Sequence, residues 1–290
     1  MKKNYLYGSI ITVVASLWWG IIGVIYFKFV SFANPVELVV HRTVWTAFLL
    51  LITTFFLAKW SFFLKVIENK KNLLLLFLSG FLVMTNWLTW LYAVSVNRLV
   101  DASLGYFIFP IFSIFFGIVF LKESYNNKKI FSIILVFFSI IYLILYYKTL
   151  PWIGLTVAIT FSLYSLIRKK LNIDSDIALL VETLLLTPFA LLTFYYLVKL
   201  DLNIFSLDEI KLSFYLLWAG PITLIPLYLY AKGFQLVGIG PASMIFFVAP
   251  TSQFLLGILL YEETLDIHKL FSFLIIWIAI FIYLNELRKE

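Results

Sequence analysis

Three ionisable residues stand close together in a stretch of the chain that is otherwise apolar. The stretch reads PVELVVHRTVW from Pro35 to Trp45 and contains Glu37, His41 and Arg42. On a helix, residues four apart lie about 40° apart around the axis, so Glu37 and His41 share a face and can pair, while Arg42 is turned about 100° further round. Such a trio can bind a charged ligand, gate a pathway or join neighbouring helices.

Two interpretations of this trio are open. Ionisable side chains inside a membrane cost about 2.5 to 3.5 kcal/mol each and normally face a partner or a water-filled cavity. At about 1.5 Å per residue, His41 and Arg42 lie about 6 to 8 Å deeper than Glu37, in the outer quarter of a membrane. The trio either lines the outer mouth of a cavity, or it is a structural pin between helices with Glu37 at headgroup level.

Glu182 lies 145 residues after Glu37, and we take it as the counterpart of Glu37 in the second half of the chain. We expect it near the opposite membrane face. Two related acids at opposite ends of a pathway would suit alternating gates or proton uptake, although each acid could equally cap a neighbouring helix.

A second group of candidate site residues combines an amide with aromatic rings. Asn86 and Trp90 are four residues apart, with Trp87 beside them, and they would face Ser103 and Tyr106 across a concave polar and aromatic patch. Trp residues also gather at membrane interfaces, which leaves an interfacial position open for Trp87 and Trp90.

Three further aromatic or amide residues are assigned to the same cavity. Trp18 lies in the middle of a predicted span, where the interfacial explanation fails, and we expect Trp18 or its neighbour Trp19 to face the cavity. Tyr228 and Gln253 are the corresponding candidates in the second half of the chain.

Pro110 and Pro250 fall within predicted spans at matched positions. Each removes one backbone hydrogen bond and can kink its helix. The pair predicts hinges for a conformational change, with static curvature as the alternative.

Composition places all these residues in a membrane protein. Of 290 residues, 63% are hydrophobic and 13% are charged, and the mean hydropathy is +1.03, which no water-soluble fold could bury. Uninterrupted apolar runs such as FSIILVFFSIIYLILYY exclude a β-barrel, whose strands alternate in polarity. Runs of about 17 to 24 residues, long enough to cross a bilayer as helices, predict ten spans at 5–27, 36–58, 73–95, 101–121, 129–147, 151–167, 177–198, 212–231, 240–260 and 268–285.

Basic residues are distributed unevenly between the two sides of this predicted bundle. With the amino terminus in the cytoplasm, fifteen of the 22 Lys and Arg residues fall on the cytoplasmic side, six fall on the other side, and Arg42 lies within a span. Cytoplasmic loops carry an excess of Lys and Arg, so we expect both termini in the cytoplasm. The net charge of +7 therefore reflects membrane topology and does not indicate a nucleic-acid partner.

The two halves of the chain are related by an internal repeat. Shifted by 140 residues, ASLGYFIFPIFSIFFGIVFLKE (102–123) and ASMIFFVAPTSQFLLGILLYEE (242–263) agree at seven positions, including a proline, a glycine and a glutamate. Five spans per half, an odd number, make the second half enter the membrane from the opposite side, as in secondary transporters. We predict an all-α integral membrane protein of ten helices, with inverted five-helix repeats at 1–148 and 149–290.

Several motifs resemble one transporter family. ELVVHRTVW, NWLTWLYAVSVNRLVDASLGYFIFP, VETLLLTP and AGPITLIPLYLYA are similar, in kind and in order, to the RarD-type branch of the EamA drug/metabolite transporter (DMT) superfamily. The resemblance spans nearly the whole chain. It implies a ten-helix permease of the bacterial inner membrane for small polar metabolites or drugs.

The sequence lacks the motifs of ATP-driven pumps and metalloenzymes. It contains no P-loop, no GxGxxG and no zinc-binding pattern, His41 and His268 are isolated, and cysteine is absent. We therefore expect a non-enzymatic secondary transporter without cofactor or metal. It would move a small polar or amphipathic metabolite or drug by alternating access, as a monomer or homodimer, with coupling to a proton or another ion left open.

Two alternative functions remain at this stage. One is a quaternary-amine or amino-acid-type permease, in which carboxylates and aromatic rings bind a cation. The other is an intramembrane lipid-modifying enzyme that uses His41 as a base.

Overall fold

The computed structural model describes residues 2–121, 126–237 and 245–287, and the regular elements in these ranges are helices. They are α1 (Lys2–Leu17), a π turn (Trp18–Ile22), α2 (Gly23–Phe29), α3 (Pro35–Phe56), α4 (Trp60–Glu68), α5 (Lys70–Ser95), α6 (Leu99–Leu121), α7 (Asn127–Tyr147), α8 (Trp152–Leu171), α9 (Ser175–Lys199), α10 (Ile210–Leu217), α11 (Ala219–Val237), α12 (Val248–Leu259) and α13 (Ile267–Leu287).

Seven helical stretches in the described ranges are long and apolar enough to cross a membrane. The first joins α1, the π turn and α2, the last joins α10 and α11, and the others are α3, α5, α6, α7 and α9. Large apolar side chains such as Phe55, Phe56 and Leu145 point outward, as lipid-facing residues do. The chain is thus an all-α integral membrane protein. The count of ten spans stays a prediction, because α12 and the described part of α13 are shorter apolar helices and α8 ends in three basic residues.

Asparagine caps begin the two helices that carry half of the candidate site residues. The side-chain oxygen of Asn34 accepts a hydrogen bond of 2.8 Å from the backbone N–H of Val36, and Pro35 occupies the first helical position, where its missing N–H removes no helix bond. Asn69 caps α5 in the same way. These caps fix where α3 and α5 start, and so set the depth of Arg42 and Asn86.

The helix contacts come in matching sets. The contact of α1 with α11 matches the contact of α8 with α5. The contact of the π turn with α12 matches that of α8 with α6, and the contact of α3 with α11 matches that of α9 with α5. Under the predicted repeat, the two contacts of each set join equivalent helices of the two halves. The α3–α9 and α7–α13 contacts each join a helix to its own equivalent in the other half. This packing supports repeats at 1–148 and 149–290, which stay a prediction.

The π turn lets the first span approach α12 closely. A Cβ atom at Gly20 would come within 2.7 Å of the Cβ of Ser252 and 2.8 Å of the carbonyl oxygen of Ala249, so only glycine fits this crossing. A π turn also contains an extra residue per turn. It therefore changes the direction in which the neighbouring side chains point.

The two predicted hinge prolines lie in different settings. Pro250 is in the first turn of α12, three residues after the helix is interrupted at Phe247. First-turn N–H groups lack helix partners anyway, so Pro250 belongs to a helix start and not to a kink inside a continuous helix. Pro110 lies within α6, and its side chain is outside the described residues. Hinge motion at both sites stays a prediction.

Gly105 sits at the crossing of α6 and α8 and gives a test of this packing. A Cβ there would lie 2.5 Å from the carbonyl oxygen of Gly154 and 2.7 Å from the Cβ of Val157. We expect Gly105→Ala to lower the free energy of unfolding by about 1–3 kcal/mol, as overpacking does. The measurement is the thermal midpoint of the purified protein, followed by tryptophan fluorescence. Gly23→Ala is the control, since its Cβ would meet its nearest neighbour at 3.5 Å; equal midpoints would contradict the close crossing.

Candidate functional site

A cavity of about 120 Å³ lies between helices of both predicted halves. The π turn and helices α2, α3, α5 and α6 contribute from the first half, and α8, α9, α11 and α12 from the second. We call it the central cavity. Its polar lining comprises Arg42, Asn86, Tyr106, Tyr164, Thr223 and Gln253, and its aromatic lining comprises Trp19, Phe27, Trp87, Trp90, Phe161 and Phe246.

Arg42 places a positive charge in this lining. It is 9% exposed, and its guanidinium carbon lies 4.1 Å from the ring centroid of Trp87 and 5.5 Å from that of Phe27. Within the described ranges no carboxylate pairs with Arg42, and its Nε atom has no hydrogen-bond partner. Aromatic faces attract a cation but do not cancel its charge. The central cavity therefore contains an uncompensated guanidinium.

Asn86 and Tyr106 form a hydrogen-bonded wall of the central cavity. The amide nitrogen of Asn86 donates to the carbonyl oxygen of Val157 at 3.0 Å and to the hydroxyl of Thr160 at 3.2 Å. Its amide oxygen accepts from the hydroxyl of Tyr106 at 2.8 Å. These bonds join α5, α6 and α8, so the wall is held in place without a ligand.

Trp90 and Gln253 connect the two halves across the cavity. The indole nitrogen of Trp90 donates to the amide oxygen of Gln253 at 3.3 Å, and Phe27 packs edge-on against Trp90. Both Trp87 and Trp90 are buried, which places them in the core and not at a membrane interface. The structure thus brings together six of the predicted site residues, namely Arg42, Asn86, Trp87, Trp90, Tyr106 and Gln253.

Two predicted cavity residues lie outside it. Trp18 does not line the central cavity, whereas Trp19 does and packs against Tyr230. The π turn that contains both tryptophans alters the helical period, so the side facing the cavity changes. Ser103 is fully buried, and its hydroxyl donates to the carbonyl oxygen of Val100 in the preceding turn of α6.

Glu37 is also absent from the central cavity. Its fully buried carboxylate accepts hydrogen bonds of 2.9 Å from the backbone N–H of Ile204 and 2.8 Å from that of Phe205. Glu37 therefore ties α3 to the connection formed by residues 200–209. Its observed contacts are those of a structural anchor.

His41 completes the Glu37 cluster. Its Nε2 atom lies 3.7 Å from the carboxylate of Glu37, which is the pairing that the spacing predicts, and its Nδ1 atom accepts a hydrogen bond of 3.1 Å from the indole of Trp45. The imidazole packs against the ring of Phe205 at 4.7 Å. His41 does not line the central cavity, so Arg42 is the member of the trio that faces it.

Glu182 is likewise buried and fully engaged. Its carboxylate accepts a hydrogen bond of 2.6 Å from Ser79, lies 3.3 Å from the guanidinium of Arg168, and lies 3.5 Å from the hydroxyl of Tyr164. Tyr164 lines the central cavity, but Glu182 does not. Glu37 and Glu182 thus each bind neighbouring segments together.

Tyr228 lies at a second cavity of about 630 Å³ between α3, α9 and α11. It is 53% exposed, and Lys59, Asp176 and Lys232 line the same cavity. Leu227 lines both cavities, so a single layer of side chains separates them. Tyr228 therefore belongs to the mouth of the second cavity and not to the central cavity for which it was predicted.

An ion pair closes the bundle beside the second cavity. The ammonium of Lys59 lies 2.6 Å from Asp176 and 3.7 Å from Asp174, and so connects the end of α3 to the start of α9. Burial lowers the pKa of Lys59, but the hydrogen bond and charges of the two aspartates outweigh this effect and raise the pKa above its ordinary value. Lys59 is therefore charged at any working pH. We call this side the Lys59 end.

Different contacts close the opposite side, which we call the Glu263 end. The carboxylate of Glu263 accepts hydrogen bonds from the backbone N–H groups of Leu99 and Val100, at the start of α6, where the helix dipole favours a negative charge. Lys28 donates to the carbonyl oxygen of Leu260. Together these contacts join α2, α6 and the end of α12.

Sequence reasoning missed the Lys59–Asp176 pair, and it left open whether Trp18 or Trp19 faces the cavity. The two charges are 117 positions apart and resemble ordinary loop charges. One signal was available: Lys59 follows α3 and Asp176 begins α9, the two helices that the Glu37–Glu182 correspondence relates.

Comparison with known proteins finds transporters along the whole chain. The EamA-like transporter family matches residues 6–145. "Uncharacterized transporter YojE" of Bacillus subtilis is 31% identical over 279 residues, which cover 95% of this chain and 93% of the relative. "Uncharacterized transporter PA0485" of Pseudomonas aeruginosa is 30% identical over 280 residues (97% and 94%), and "Protein RarD" of Escherichia coli is 27% identical over 284 residues (98% and 96%).

The anchoring contact of Glu37 predicts a local effect. We expect Glu37→Gln to loosen residues 200–209, because an amide offers one acceptor oxygen instead of two and carries no charge. Weakening such buried bonds to a charged group costs about 1.5–3 kcal/mol. Proteolysis of the purified protein within 200–209 would then speed up about tenfold or more. Glu209→Gln, which changes an exposed acid of the same segment, is the control, and equal cleavage of both variants would disprove the anchor.

Proposed function

Because the chain belongs to the RarD-type branch of the EamA-like transporter family, we propose that it is a secondary transporter that carries a small polar or amphipathic metabolite or drug through the central cavity by alternating access. The observation that carries this proposal is the central cavity itself, which helices of both predicted repeats line. A midplane site between related halves is the arrangement that inverted-repeat transporters use.

The contacts at the two ends of the bundle supply the gates that this mechanism needs. The Lys59–Asp176 pair holds α3 to α9 at one end, and Glu263 and Lys28 hold α2, α6 and α12 at the other. In alternating access, one set opens while the other stays closed. The excess of Lys and Arg favours the Lys59 end as the cytoplasmic side, with both termini in the cytoplasm and the protein in the bacterial inner membrane.

No observation in the described residues specifically favours either of the two alternative functions. In the quaternary-amine alternative, carboxylates and aromatic rings bind a cation, but Glu37 and Glu182 are engaged elsewhere and the central cavity contains the positive charge of Arg42. A lipid-modifying enzyme needs His41 to reach substrate, but both of its ring nitrogens are directed at residues of its own helix. Named relatives are transporters.

A pair of variants on one helix tests transport through the central cavity. Val83 lines the cavity, whereas Leu74, also on α5, lies on the outer face. We expect proteoliposomes loaded with a bacterial metabolite extract to release at least one compound faster than protein-free liposomes, as measured by mass spectrometry. Val83→Trp would slow this release about tenfold or more because the indole occupies the space of the ligand, and Leu74→Trp would leave it within about twofold.

Two results would contradict the proposal. Equal release from protein-containing and protein-free liposomes, under both a proton gradient and an opposing gradient of extract, would argue against transport. Equal rates for Val83→Trp and Leu74→Trp would place the pathway outside the central cavity.

The Lys59–Asp176 pair can be tested as a gate by chemical labelling. The chain contains no cysteine, so Thr223→Cys introduces one reporter in the central cavity. A partly exposed ion pair contributes about 0.2–1 kcal/mol, so we expect Lys59→Gln to speed maleimide labelling of this reporter about 1.5- to fivefold. Lys65→Gln, at an exposed position on α4, is the matched control. If Lys59→Gln labels no faster than the control, the pair is not a gate.

A further inference from the structure

The central cavity contains a charge that no described residue neutralises. Arg42 is 9% exposed, lines the cavity and has no acidic partner in the described ranges. Taking a cation out of water without an opposite charge costs several kcal/mol. A lone guanidinium in a cavity between helices is therefore expected where a bound molecule supplies the negative charge.

The buried acids of the neighbouring helices are not available to Arg42. Glu37, on the same helix, accepts hydrogen bonds from two backbone N–H groups and lies against His41. Glu182, on α9, pairs with Arg168 and accepts from Ser79. Since both carboxylates are fully engaged, neither supplies the negative charge that Arg42 lacks among the described residues, and a bound molecule can supply it.

The number of positive charges in the central cavity indicates how many negative charges its ligand carries. Arg42 is the one Lys or Arg among the described residues that line the central cavity. A phosphate monoester carries about 1.5 to 2 negative charges near pH 7 and would leave an excess charge among aromatic rings. A carboxylate carries one, and its two oxygens match the paired N–H donors of a guanidinium.

The remaining lining indicates the rest of the ligand. Trp90, Phe27, Phe161 and Phe246 surround the cavity with ring faces and edges, which pack well against a planar apolar group. Asn86 and Tyr106 are already bonded to each other. They therefore form a fixed polar wall. The cavity offers a ligand one ionic contact, with Arg42, and apolar contacts with the aromatic rings.

Resting on the transport function proposed above, we propose that the central cavity binds the carboxylate of a small organic monoanion, with Arg42 as its ionic partner and the aromatic rings around its apolar part. The substrate class of the transporter is then a small carboxylate with a planar apolar body. This proposal gives the substrate a negative charge, in place of the positive charge in the quaternary-amine alternative.

Three probes of similar size and shape test the effect of charge alone: phenylacetate is negative at neutral pH, phenylacetamide is neutral and phenethylamine is positive. Calorimetry on the wild-type protein in lipid nanodiscs at neutral pH gives the dissociation constant of each. We expect phenylacetate to bind about tenfold or more tightly than the amide, because only the carboxylate forms charge-assisted hydrogen bonds with a guanidinium. The amine is expected to bind most weakly, and inorganic phosphate to compete less well than phenylacetate.

Variants of Arg42 identify the partner of the carboxylate. We expect Arg42→Gln to reduce the preference for phenylacetate over phenylacetamide to below about twofold, and Arg42→Lys, which keeps the charge without the paired donors, to retain an intermediate preference. Arg98→Gln is the control, since Arg98 pairs with Asp101 outside the cavity, and its preference is expected to match that of the wild type. If Arg42→Gln does not fold, the wild-type series and Arg42→Lys decide.

Several outcomes would overturn the inference. They are equal or tighter binding of the amide, the amine or inorganic phosphate to the wild type, and a carboxylate preference that survives in folded Arg42→Gln. The two proposals fail separately: carboxylate binding without flux in liposomes removes only the transport function, and flux without carboxylate preference removes only this inference.

Discussion

A polar group that leaves water must find its partner inside the protein, and this requirement determines how the helices are arranged. Glu37 meets it with backbone N–H groups of residues 200–209, Glu182 with Arg168 and Ser79, and Glu263 with the start of α6. Each contact joins segments that are distant in the chain. Apolar packing among similar Leu, Ile and Phe side chains discriminates poorly between arrangements, so these few polar contacts specify which helices are neighbours.

Arg42 departs from that rule. Among the ionisable side chains buried in the described spans, Glu37, His41 and Glu182 have a partner of opposite or complementary charge, whereas Arg42 has aromatic faces. Insertion of an arginine in a membrane costs about 2.5 to 3.5 kcal/mol, and desolvated cation–π contacts such as those with Trp87 and Phe27 contribute about 2 kcal/mol each in the opposite direction. The rings therefore offset the cost of burying the cation without neutralising its charge, and that charge stays available to the carboxylate proposed as its partner.

The sequence predicts the helices well because an apolar run of sufficient length has one stable form in lipid. Asn86, Trp90 and Tyr106 were also found, since their helical spacing places them on facing surfaces. The contacts of Glu37 could not be found in this way. Its partners are backbone N–H groups, which every residue other than proline carries, so no side chain marks them. Periodicity could not decide whether Trp18 or Trp19 faces the cavity, because it assumes 3.6 residues per turn and a π turn breaks that period.

The two ends of the bundle differ in the strength of their closure, and this difference bears on which end opens more easily. At the Lys59 end, a partly exposed ion pair contributes about 0–1 kcal/mol, and a layer that includes Leu227 separates the central cavity from the wide second cavity. At the Glu263 end, burial raises the pKa of Glu263 to about 7, so its bonds to the backbone N–H groups of α6 have the strength of bonds to a charged group, about 1.5–3 kcal/mol each, only above that pH. Above neutral pH the Lys59–Asp176 pair is therefore the weaker of these two closures, and acidification narrows the difference because it protonates Glu263.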